Sequence, residues 1–451
     1  MARLHQRRTC RGILVEKLAR PPKVSLRSVA RIGCRVLPLL LVGACSTPGV
    51  PPPDLPPADA TISRPENLSW TSRAGLDLFL DFSAWSGADS GYVALFARDG
   101  HVVHATAVGL ADIEAGEPMR MDTRFRIASM TKPVTAVAAM ILIEEGRLRL
   151  DDPVQRYVPA AGQVRVATST ERLSDGTFAT EELFRPLTVM DLLTFTSGVG
   201  ARDDASDLGR EWAQRDIYAG EGSLEQRVDR ILTAPLYEQP GHSWRYGWSA
   251  DVLARVVEVA AGQPFDRFLE ERLFLPLGMT DTGFLPPESD RTDMAAMYTV
   301  AEGGDLVRLE TPASDALDWT PGGSGLVSTA GDYMRFALML WNAGEYDGVR
   351  ILSPESVALM TLPHVSSGVL VDEGVDGQGW GLGLSVVVDS EATPTIDRDG
   401  DFWWAGYYGT NFFVSPETGL VGVVMSQNQP GPHSGLPYPI YLAPAFAYWG
   451  L

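Results

Sequence analysis

The sequence predicts an α/β protein in which strands from both ends of the chain build one sheet and a helical lobe is inserted between them. Three observations carry this. Residues 91–110, "GYVALFARDGHVVHATAVGL", are two apolar, β-branched runs joined by Arg98-Asp99-Gly100, the pattern of a hairpin. The far end holds more β-rich runs, "WGLGLSVVV", "YGTNFFVS" and "LVGVVMSQ", the last two joined by Pro416-Glu417-Thr418-Gly419. The middle, from about 150 to 340, alternates helical patterns with Gly/Pro-rich loops. At 451 residues the chain exceeds the size at which a single core keeps growing, so two lobes are expected.

Taken in order, residues 1–45 carry ten Lys/Arg against Glu16 alone and lead into "VLPLLLVGAC". A basic start, a short apolar core and small residues are the layout of an export signal, too short to span a membrane as a mature helix. Val42-Gly43-Ala44-Cys45 resembles the lipobox of bacterial lipoproteins, which implies acylation of Cys45 and an envelope location anchored by lipid. Residues 46–62 follow as a Pro-rich tether, "STPGVPPPDLPP" at its start, unable to form a helix or a central strand. The folded body then runs over 63–451.

Within it, residues 129–146 read as a helix, with apolar Val134, Val137, Ala138, Met140, Ile141 and Leu142, Pro133 near the first turn and Gly146 as a stop. "ATSTERLSDGTFATEELF" (167–184) reads as a polar loop. "SADVLARVVEVAAG", "FDRFLEERLF" and "DYMRFALMLWNAG" are helical, and an aromatic segment at 438–449 reads as a last helix on the sheet.

Charge and cysteine usage exclude several functions. The net charge is −20, and without residues 1–45 the body keeps 27 basic and 56 acidic residues, a net of −29. Such a body repels a phosphate backbone, which argues against a nucleic-acid partner. Cys10, Cys34 and Cys45 all precede the folded region, so neither cysteine hydrolysis nor cysteine-bound zinc is expected there. No H-E-x-x-H occurs among the six histidines, and no metal or other cofactor is implied.

The chemistry is expected at "FRIASMTKPVTAV" (125–137), where Ser129 and Lys132 stand three apart. No G-x-S-x-G string exists, so a serine nucleophile needs another base. Positions three apart lie on one helix face. A lysine buried near a helix N-terminus has its charged form disfavoured, which leaves an amine able to accept a proton.

"RFRIASMTKPVTAVAAMILIEEGRLRLDDPVQRYVP" resembles the nucleophile segment of the penicillin-recognising serine hydrolases, which include class C β-lactamases, D-Ala-D-Ala carboxypeptidases and family VIII carboxylesterases. The likeness continues through "TVMDLLTFTSGVG", "PGHSWRYGWSADVLARVVEVAAG", "FLPLGMTDTGF", "GGSGLVSTAGDYMRFALML" and "WAGYYGTNFFVSPETGLVGVVMSQ", over roughly residues 70–430. It implies a five-stranded antiparallel sheet flanked by helices, with the active site between sheet and helical lobe. The family's tyrosine maps to Tyr246, and its usual asparagine position holds Trp248. Its K-T-G strand maps to Trp404-Ala405-Gly406, with Trp404 in place of the carboxylate-binding lysine; W-x-G is a feature of some family VIII esterases. The N–H groups of Ser129 and Tyr407 would form the oxyanion hole.

Both departures point to esters with an apolar acyl or alcohol group, lined by Trp244, Trp248, Trp403, Trp404 and Tyr407, rather than to penicillins and peptides. Three readings follow: a serine carboxylesterase or acyl transferase on small-molecule esters, a β-lactamase or D-Ala-D-Ala carboxypeptidase of the envelope, and a non-catalytic binding protein on the same fold. The first accounts for all three catalytic residue types together with the lost cation.

Overall fold

The computed structural model describes residues 70–429, apart from 88, 202–204, 216, 219–221, 287, 302–303, 310–318, 367–375 and 394–396. The expected signal at 1–45 with Cys45, the tether at 46–62 and the aromatic segment at 438–449 lie outside them.

The chain enters through helix α1 (Trp70–Trp85) and the hairpin of β1 (Gly91–Arg98) and β2 (His101–Asp112). Asp99 and Gly100 both have positive φ, 49° and 83°, as a two-residue hairpin turn requires. Helix α2 (Thr131–Glu144) follows a 3₁₀ turn at Ala128–Met130 and stops before Gly146, whose φ is 69°. The lobe then holds several short helices and two long ones, α3 (Ser249–Ala261) and α4 (Ala330–Trp341). Strands β3 (Phe402–Gly406), β4 (Thr410–Ser415) and β5 (Leu420–Met425) return to the sheet.

These five long strands run in the order β3-β4-β5-β1-β2, all antiparallel, so the last of the five pairs with the first. Short strands extend both edges: Ser385–Val387 and Gln378–Trp380 beyond β3, and Glu117–Pro118 beyond β2. "WGLGLSVVV" is thus two strands rather than one run. Residues 381–384 are the turn between them: Gly383 has a positive φ (81°) and packs so closely on α2 that a Cβ there would lie 2.5 Å from that of Ala136.

Strand alternation sends side chains to two cores. Val93, Leu95, Phe412, Val414, Val423 and Met425 belong to the main core with α2 and α4. Tyr92, Ala94, Phe96 and Val424 face the other way, against Leu76 and Leu80 of α1. Helix α2 is buried continuously from Thr131 to Leu142, as a helix apolar on all sides must be. The stretch 167–184 is a β-hairpin, Val166–Arg172 with Phe178–Glu181, instead of a loop. Asp175-Gly176 makes its turn, and Arg172 ties it to Glu211 at 2.5 Å.

A buried carboxyl sits where the segment entering β1 meets the segment leaving β5. Asp89, just before β1, accepts the Ser426 hydroxyl at 2.5 Å. Burial pushes its pKa from 3.8 to about 7, while hydrogen bonds from Ser426 and nearby groups pull it partly back. The folded state therefore holds a proton that the unfolded state loses, and stability falls as pH rises from about 4 to about 7. Asp89→Asn is expected to be more stable than wild type at pH 8, by an unfolding free energy on the order of a few kcal/mol, with the gap closing towards pH 5. A pH-independent gap in thermal melts would refute this origin.

Candidate active site

The nucleophile is carried on a strained turn. Arg126 pairs with Val327, and Ala128 then adopts a left-handed conformation (φ 44°) immediately before Ser129. For a residue with a Cβ this costs roughly 1–2 kcal/mol, so neighbours must hold it. They do: Ile127 N–H donates to the Leu326 carbonyl at 3.0 Å, and the Tyr333 hydroxyl donates to the Met130 carbonyl at 2.8 Å. Thr131 and Thr135 pin the next turn of α2 to the backbone of Leu326 and Gly322.

Two groups converge on the Ser129 hydroxyl. Lys132 Nζ donates to Ser129 Oγ at 2.9 Å and to the Gly323 carbonyl at 2.8 Å. The Tyr246 hydroxyl donates to Ser129 Oγ at 2.7 Å. Lys132 Nζ also lies 4.6 Å from the centre of the Tyr246 ring. One hydroxyl thus sits within hydrogen-bond reach of an amine and a phenol, the geometry that a nucleophile and its proton acceptors require. Lys132 is buried in the first turn of its helix, so the amine is held with little freedom to leave.

Tyr246 lies on an irregular segment held by a second one. Arg245 N–H donates to the Phe195 carbonyl at 2.8 Å, and a Cβ at Gly247 would lie 2.5 Å from the Val199 carbonyl. Phe195 is itself left-handed (φ 57°), and its ring stacks on that of Tyr246 at 5.8 Å and 15°. Trp244, Trp380 and Trp404 complete one aromatic cluster with these two rings. Trp404 meets Trp380 edge-on at 4.6 Å and Tyr246 at 5.7 Å.

The remaining expected site residues divide. Trp404, Ala405 and Gly406 form the end of β3, beside the Ser129 turn. Gly406 is required there for a close approach, though to protein: a Cβ would lie 2.3 Å from the Ile127 carbonyl and 2.2 Å from Thr410 Oγ1. Tyr407 follows, with its ring against Tyr408 and the residue 54% exposed. Two of the tryptophans expected to line the site pack against protein. Trp248 is buried in the main core, its ring 6.0 Å from Trp212. Trp403, by strand alternation, joins the core on the α1 side and donates its indole N–H to Gln378 at 3.0 Å.

The residues match a known family over most of their length: the beta-lactamase profile aligns with residues 83–444. The chain belongs to the beta-lactamase family. Among its relatives, Esterase EstB of Burkholderia gladioli is 33% identical over 395 residues, 82% of this chain and 93% of EstB. Penicillin-binding protein 4 of Amycolatopsis lactamdurans is 30% identical, over 72% of this chain and 77% of that protein. The solved structure of EstCE1, a hydrolase with promiscuous acyltransferase activity, superimposes with a TM-score of 0.70 at 28% identity, covering 83% of this chain and 98% of EstCE1. In this family setting Phe195, Trp380, Asp251 and Gly323 are the site neighbours that the sequence did not single out. Phe195, Asp251 and Gly323 lie inside stretches that carry the resemblance, yet nothing in those stretches sets them apart from their neighbours, and Trp380 lies outside them.

Proposed function

We propose that this protein is a serine esterase or acyl transferase acting on small-molecule esters through an acyl-enzyme. The observation that carries this is the single Ser129 hydroxyl held at 2.9 Å from Lys132 Nζ and 2.7 Å from the Tyr246 hydroxyl. Ser129 Oγ attacks the acyl carbonyl carbon, and its proton passes to the Lys132–Tyr246 pair. The N–H groups of Ser129 and Tyr407 are the proposed donors to the oxyanion. Collapse of the tetrahedral intermediate breaks the ester C–O bond, and the pair returns the proton to the departing alcohol. Water or a second alcohol then attacks the acyl-enzyme by the reverse path. The names of EstB and EstCE1 support this reading.

The aromatic surroundings favour an apolar acyl or alcohol group. Trp404, where the wider family carries a cation, supplies no charge for a substrate carboxylate. Penicillin-binding protein 4 keeps a second reading open, that of a β-lactamase or D-Ala-D-Ala carboxypeptidase. A side-by-side profile of short-chain nitrophenyl esters, a chromogenic cephalosporin and D-Ala dipeptides separates the two, with esters expected to be turned over at least about 10²-fold faster. Faster cephalosporin than ester turnover would reverse the assignment. Export and acylation at Cys45 belong to the same proposal and rest on the sequence; the mass of the mature N-terminus tests them.

A further inference from the structure

A buried carboxylate reaches the reactive lysine through one glycine. Asp251 lies in the first turn of α3, five residues after Tyr246, and is 1% exposed. Its Oδ1 accepts the Gly323 N–H at 3.0 Å. The carbonyl of the same glycine accepts from Lys132 Nζ at 2.8 Å. Carboxylate and amine therefore grip opposite ends of Gly323. A Cβ there would lie 2.6 Å from Asp251 Oδ2, so the carboxylate rests directly on the space that only glycine leaves free. By the distance and angle of a full hydrogen bond, Oδ2 has no partner among the described residues.

An acid in a first helical turn is favoured by the helix dipole alone. That does not explain the burial. Placing a carboxylate in a dry core is costly even with backbone N–H groups of Gly322, Gly323 and its own residue turned to it, and such a group calls for a reason. Burial raises the Asp251 pKa to about 6, and the nearby Lys132 charge is the largest influence pulling it back. Other titratable groups at this place are Tyr218, held well above the usual phenol range by burial and then by Asp251, with Tyr246 and Tyr408 beyond it.

We propose, resting on the reading of Ser129 as nucleophile, that Asp251 is a positioning residue for the proton transfer. It locks Gly323 so that the carbonyl holds Lys132 Nζ against Ser129, and its negative charge balances the positive charge Lys132 gains on taking the serine proton. The logic is that of the aspartate in a serine–histidine–aspartate triad, which orients the base and stabilises its charged form. Here a glycine stands between acid and base.

The test is the rate at which a fluorophosphonate probe labels Ser129 in the purified full chain between pH 5 and 9, with kcat and KM on a nitrophenyl ester alongside. Asp251→Asn is expected to label about 10²-fold more slowly, to lose kcat with KM within about threefold of wild type, and to show an altered pH profile. Asp251→Glu, which keeps the charge, is expected to label faster than the asparagine variant; a packing role predicts the reverse order. Labelling by Asp251→Asn within about threefold of wild type at every pH overturns the proposal. If that variant does not fold, Gly323→Ala displaces the carboxylate without removing it, and unchanged labelling there overturns it equally. A wild type that labels but turns over no ester removes the esterase reading and leaves the Asp251 comparison intact. A wild type that does not label removes both.

Discussion

Alanine at Ser129 is expected to lower ester turnover by about 10⁴-fold or more while leaving the melting temperature close to wild type. The hydroxyl is small and lies on the surface of the turn rather than in the core, so little packing is lost. Lys132→Ala and Tyr246→Phe should each cost about 10²–10⁴-fold in kcat, and the double variant little more than the worse single one, because both groups serve the same proton. The lysine variant carries a second signature. It strips the Gly323 carbonyl of its donor and is expected to lose about 1–3 kcal/mol of stability, whereas Tyr246→Phe keeps its ring stack with Phe195 and loses less. Stopped-flow turnover and thermal melts on wild type and the four variants measure both effects. Full additivity of the two losses would mean that lysine and tyrosine act in separate steps, against the shared hydroxyl seen here.

Alanine at Gly406 is expected to damage the site without touching any reacting group. Its Cβ would meet the Ile127 carbonyl at 2.3 Å and Thr410 Oγ1 at 2.2 Å. A carbonyl cannot rotate aside as a flexible side chain can, so β3 and the Ser129 turn must part by about 1 Å. Displacements of that size cost about 10²-fold when they separate a nucleophile from its oxyanion donors. Overpacking should remove a further ~1–3 kcal/mol of stability. Since the wall and the nucleophile move apart, kcat is expected to fall more than KM rises. Wild-type melting and turnover in Gly406→Ala would show that the strand does not press on the nucleophile turn as closely as these contacts require.

Much of the fold is written within a few residues of each place. The Asp99-Gly100 turn lies between two apolar runs, Gly146 and Gly262 end their helices in the left-handed region, and Ser129 and Lys132 meet because three residues bring a chain back to the same helix face. Helix α1 carries no such mark, lacking an acid in its first turn and a base in its last. The hairpin at 166–181 was hidden because its polar strands lack the apolar alternation that reveals a half-buried strand.

Distance along the chain explains what local patterns do not hold. Tyr246 reaches Ser129 across 117 positions, and Gly323 reaches Lys132 across 191. Composition marks 403 and 404 as two equal tryptophans, yet β3 turns one to each side of the sheet, and Trp248 is drawn into the core by Trp212. Asp251 reads as an ordinary acid at a helix start until packing buries it against Gly323. Residue type and spacing thus fix which groups can react, because backbone geometry over one turn is local. Which of them meet, and in what dielectric, is settled when distant segments exclude water from the same small volume.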